Sequence, residues 1–87
     1  VLDGAKMDGA ILDDAVLASA SLVNTSLVNA SLEGADLSNA RLTGAVLDGA
    51  SLCGADFHGA ELSGTSFRGA KVCDNTRFSA GYRPPGL

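Results

Sequence analysis

A large apolar side chain returns every fifth residue along almost the whole of this chain. The position is held by Leu2, Met7, Leu12, Leu17, Leu22, Leu27, Leu32, Leu37, Leu42, Leu47, Leu52, Phe57, Leu62, Phe67 and Val72. Two residues before each, from position 5 to position 70, stands Ala, with Thr25 and Thr65 as exceptions. No pentad breaks the pattern between residues 2 and 74, so the chain is a repeat array and has to be read as one.

Neither standard element gathers these residues on one side. On an α-helix, five steps of about 100° leave successive leucines about 140° apart, smeared around the cylinder. A Gly or Asn in nearly every pentad also opposes a helix, by up to about 1 kcal/mol each. On a flat strand, a period of two sends every second Leu to the opposite face. The chain must therefore bend once per pentad. Two residues after each large apolar position stands a residue suited to the bend: Gly4, Gly9, Asn24, Asn29, Gly34, Asn39, Gly44, Gly49, Gly54, Gly59, Gly64 and Gly69. Gly and Asn are the residues that accept positive φ in a turn. Asp14 and Ser19 occupy two of these corners, where a different turn type is expected. A coil that bends the same way each time closes on itself, and stacked coils make an all-β solenoid.

The pentads "ADLSN", "ARLTG", "AVLDG", "ASLCG", "ADFHG" and "AELSG" resemble the pentapeptide-repeat family, and the resemblance covers about residues 2 to 80. It implies a right-handed quadrilateral β-helix of about four coils, four pentapeptides per coil, with the Leu and Ala positions inward. The period of five does not by itself supply the number four. With twenty residues per coil, Leu2, Leu22, Leu42 and Leu62 form one column, followed by Met7, Leu27, Leu47 and Phe67. The third column is Leu12, Leu32, Leu52 and Val72, and the fourth is Leu17, Leu37, Phe57 and Phe78.

After Val72 the register slips. Thr76 and Phe78 stand where strict fives require residues 75 and 77, so one residue is inserted near Asp74. Residues 1–75 read as the repeat and 76–87 as a cap and Pro-containing tail, since Pro84 and Pro85 cannot continue a β-ladder. The first coil has no such cap, so either the natural protein continues upstream or two copies stack at this N-terminal coil as a homodimer.

Composition narrows the function classes. Hydrophobic residues make up 46% of the chain but aromatics only 5%, with no Trp, too apolar for disorder. A net charge of −4 argues against direct nucleic-acid binding, which needs clustered Lys and Arg. There is no apolar run long enough to span a membrane and no visible targeting segment, which leaves the compartment open with the cytoplasm favoured.

Cys53 and Cys73 stand one coil apart at equivalent outward positions, within disulfide reach. They form either a staple or redox pair, or two free surface thiols. The free thiols are the expected state, because a bridge between directly paired parallel strands is awkward and reducing compartments discourage it. His58, the only histidine, lies around a corner from them, so no metal site is expected. Ser38, Asp56 and Ser79 stand near His58 on a flat wall, which gives no catalytic concavity. Asp36 stacks on Asp56, an arrangement that solvent tolerates. Ile11, Val16, Val23, Val28 and Val46 are outward aliphatics, read either as a contact patch or as residues that merely suit strands.

The expected function is non-enzymatic: a short rigid rod that presents flat walls to an unknown protein partner, with no cofactor. The family resemblance implies a bacterial source and supplies the alternative, a DNA-mimic protector of DNA gyrase. That role in the family goes with longer rods, denser acid columns and dimers joined by a C-terminal helix, and this chain has 6 Lys and Arg against 10 Asp and Glu.

Overall fold

The structure is a computed structural model and describes residues 2–82 and Pro84. Arg83 and Pro85, both placed in the expected tail, lie outside the described residues, as do Val1 and residues 86–87.

Each pentad makes the same local shape. The backbone N–H of the alanine position donates to the carbonyl of the preceding large residue, as Ala5 does to Leu2 and Ala45 to Leu42 at 3.0 and 2.9 Å. This closes a turn whose third residue has positive φ, from 60° at Asn24 to 76° at Gly54. Asp14 and Ser19 adopt the same conformation, with φ of 61° and 63°. The different turn expected at these two corners is therefore not found. The backbone rungs on both sides impose the corner, and Asp in particular tolerates left-handed geometry.

Between turns only a short extended stretch remains, so each pentad has room for a single parallel bridge to the next coil. The bridges run from Lys6–Ser26 through Ser51–Lys71 with partners twenty residues apart, a span of four pentads. Two kinds of rung join the coils. Leu22 N donates forward to Arg41 O at 2.7 Å, and Ser26 N donates back to Ala5 O at 2.9 Å. The last bridge, Asp56–Arg77, is offset by one more residue, which locates the insertion between Cys73 and Arg77. The molecule is a β-solenoid.

The inward columns make the core. Leu22, Leu27, Leu32, Leu37, Leu42, Leu47, Leu52, Phe57 and Phe67 are all at most 1% exposed, with the alanines beside them. Thr25 and Thr65 replace alanine without leaving a buried hydroxyl unpaired: Thr25 Oγ1 donates to Leu2 O at 2.6 Å and Thr65 Oγ1 to Leu42 O at 2.7 Å. Thr76 repeats the device across the insertion, donating to Leu52 O at 2.8 Å. Leu2, Met7, Leu12 and Leu17 in the first coil are only half-buried. At the other end Phe78 stacks on Phe57 with centroids 5.2 Å apart, Phe67 meets both edge-on, and Tyr82 leans on Phe78.

Candidate functional site

The outward side chains are set by the same register, so each wall carries columns of residues one coil apart. On these walls five acids are tied to the coil above. Asp3 Oδ1 accepts from Ser21 Oγ at 2.6 Å and from Val23 N at 2.9 Å. Asp8 with Ser26, Asp13 with Ser31, Glu33 with Ser51 and Asp48 with Ser66 repeat the arrangement. An acid following a large apolar residue thus meets a serine eighteen positions later, a spacing that is present in the sequence. The Ser21 hydroxyl, and then the Val23 amide, hold the Asp3 carboxyl below its ordinary value of 3.8. Asp36 is lowered in the same way by Ser38, whose hydroxyl and backbone N–H both donate to it. Asp36 stacks on Asp56 as the column requires, and Asp56 likewise accepts from the backbone N–H two residues on, that of His58.

A second side-chain ladder lies at the corners. The amide oxygens of Asn24, Asn29 and Asn39, and a carboxyl oxygen of Asp14, lie over Gly44, Gly49, Gly59 and Gly34 one coil on, filling the space a Cβ would take there.

The His58 side chain is exposed, and Ser79 is occupied by accepting the Gly59 N–H at 2.7 Å. Among the described residues no group of three or more His, Cys, Asp or Glu comes together as a set of metal ligands. No helix of the described residues is long and apolar enough to cross a membrane.

The five outward aliphatics do not form one patch. The register places Ile11, Val16 and Val23 on three different walls and only Val28 and Val46 on the same one. Ile11 and Val16 are 79% and 81% exposed, whereas Val23, Val28 and Val46 are half-buried by neighbouring coils. An open groove lies instead at the capped end, lined by Ala60, Glu61, Leu62, Ser63, Ser79 and Tyr82. Burial there raises the Tyr82 hydroxyl above its ordinary value of 10.0.

Cys53 and Cys73 are joined in a disulfide, with Cα atoms 4.8 Å apart, and no free cysteine remains among the described residues. This corrects the expectation of two free thiols. Bridging residues in adjacent coils stand about one strand spacing apart, which falls inside the ordinary Cα range for a disulfide.

The pentapeptide-repeat profile matches residues 1–34 and 35–71 with 8 copies. The chain belongs to the pentapeptide-repeat family. Solved pentapeptide-repeat proteins share its fold. Rfr23 from the cyanobacterium Cyanothece 51142 is 36% identical with a TM-score of 0.70, over 84% of this chain and 53% of that one. A protein from the Arabidopsis thaliana thylakoid lumen is 32% identical with a TM-score of 0.76, over 90% of this chain and 57% of that one. A third, from Nostoc PCC 7120, is 28% identical with a TM-score of 0.51, over 93% and 75%. The chain thus spans little more than half the length of the first two, and these relatives come from a plant as well as from cyanobacteria. No curated protein matches the chain.

Proposed function

We propose that this pentapeptide-repeat protein is a non-enzymatic interaction module, a right-handed quadrilateral β-helix of about four coils whose walls dock onto another protein. The observation that carries this reading is the repeated set of backbone rungs, 2.7–3.0 Å long, that links coil to coil from Leu2 to Arg77 and is interrupted among the described residues between Gly54 and Cys73. A backbone tied at each pentad cannot shift one outward residue without shifting its column, so each wall is a fixed template. Rigid surfaces bind without the ordering cost that flexible loops carry. The acid–serine bonds add to this rigidity and leave charge on the walls, which suits a polar, partly basic protein surface. The disulfide supports an oxidising compartment over a reducing one.

The test is capture of a partner from an extract of the source cell, repeated with outward residues replaced by Arg on one wall at a time. The reading expects a partner lost from one wall variant and retained by the others. Capture unaffected by every wall variant contradicts it. Native mass spectrometry on the same sample separates a monomer from an end-to-end dimer through the first coil.

A further inference from the structure

The Cys53–Cys73 bridge lies where the rung pattern breaks. In the coil below, Gly34 N donates to Cys53 O at 3.0 Å; one coil on, Cys73 O instead accepts from Thr76 N at 3.0 Å. Among the described residues no rung joins Gly54 to Cys73. The residues from 71 to 73 form the edge of the last coil on this wall, and their inward residue Val72 is 37% exposed where Leu32 and Leu52 are fully buried. The chain then takes its extra residue and enters the cap, where Phe78 stacks on Phe57 and Tyr82 leans on Phe78. Cys73 is exposed and Cys53 half-buried. The disulfide thus stands in for a missing rung at the point where the regular coil hands over to its cap, and one of its sulfurs belongs to an exposed residue.

We propose that this disulfide is a redox latch on the C-terminal cap, opened by a protein or small-molecule dithiol. One thiolate of the dithiol attacks Cys73 Sγ, forming a mixed disulfide and releasing Cys53 as a thiolate. The second thiol displaces Cys73 and closes the reductant's own disulfide. Two electrons pass from the dithiol to the cysteine pair, and both cysteine sulfurs take up a proton. The opened edge is then held by the Lys71 rungs to Ala50 and Leu52, by the Arg77 rungs to Ala55 and Phe57, and by the Thr76 hydroxyl, which accepts from Cys73 N and donates to Leu52 O. The cap detaches more often, while coils joined by complete rungs are unaffected. Opening uncovers the aromatic end formed by Phe57 and Phe67.

The experiment is hydrogen exchange by mass spectrometry on the whole chain, oxidised with glutathione disulfide and then treated with dithiothreitol. Amides of residues 72–82 should exchange on the order of a hundredfold faster after reduction, the factor expected when a short disulfide loop is released. Amides of residues 27–50 should not change. Binding of an apolar dye should rise in parallel. The Cys53→Ser/Cys73→Ser variant should behave as the reduced protein in both redox conditions; if it does not fold, the reduced wild type supplies the same reading. Unchanged exchange at 72–82 overturns the latch, and so does equal acceleration along the whole chain. Two titratable thiols in the glutathione-oxidised, unfolded protein overturn it as well.

Discussion

Replacing Leu42 by Ala tests the inward packing most severely. Leu42 has no exposed surface and lies between Leu22, 1% exposed, and Leu62 in its column. Removing three carbons from a buried site forfeits about 2.4 kcal/mol of transfer free energy at roughly 0.8 per carbon. A cavity term follows, set by how far the surroundings collapse. Here they cannot collapse far. Leu42 N is fixed to Glu61 O at 2.8 Å, and Leu42 O accepts both from Ala45 N at 2.9 Å and from Thr65 Oγ1 at 2.7 Å. The cost should therefore fall in the upper half of the range seen for buried leucines, about 4 kcal/mol. Leu2→Ala at the half-buried first coil should cost only about 1 kcal/mol, in proportion to the smaller area lost. Urea unfolding of the oxidised protein at neutral pH, compared by midpoint at constant slope, reads both values. If Leu42→Ala stays within about 1 kcal/mol of wild type, or if the two variants cost the same, the inward assignment is wrong.

Further tests address the corners, the walls and the competing function. Gly44→Ala should cost about 1 kcal/mol more than Gly4→Ala, because both residues have φ above +70° but only Gly44 lies beneath the Asn24 side chain. Adding Asn24→Gly should recover that difference, and no recovery would remove the corner ladder. The lowered carboxyls of Asp3 and Asp36 contribute stability that is present above their ordinary value of 3.8 and lost as pH falls through their lower folded values. Ser21→Ala/Ser38→Ala should flatten the dependence of unfolding on pH below 3.8, and an unchanged slope would show that these hydroxyls do not matter. A DNA gyrase supercoiling assay with a quinolone should show no protection by stoichiometric protein; protection would revive the DNA-mimic reading.

The inward pattern was legible because volume determines it: only a leucine-sized residue and an alanine, alternating at fixed spacing, fill a narrow shaft, whereas the four pentads per coil rested on the family resemblance. The insertion near Asp74 was legible for the same reason, through the displaced Thr76 and Phe78, and Asp56 pairs with Arg77 accordingly. The corners at Asp14 and Ser19 were misjudged because residue preference for positive φ is weaker than the rungs that impose it. Spacing made Cys53 and Cys73 neighbours, but whether neighbouring sulfurs join depends on oxidation, which spacing does not carry. The acid–serine pairs were legible in principle. A pairing eighteen residues apart shows only once the coil length of twenty is known, because it joins the end of one pentad wall to the start of the next coil's. Ile11, Val16, Val23, Val28 and Val46 share an outward position in the pentad, yet the wall each occupies depends on its place in the coil.

Trans-hydrogen-bond NMR couplings, which report which amide donates to which carbonyl, test the solenoid most directly. The Leu22 and Leu42 amides should couple to the carbonyls of Arg41 and Glu61, and the Ser26 and Val46 amides to those of Ala5 and Thr25. Couplings from each amide to a carbonyl four residues earlier would instead mean a helix and rule out the solenoid.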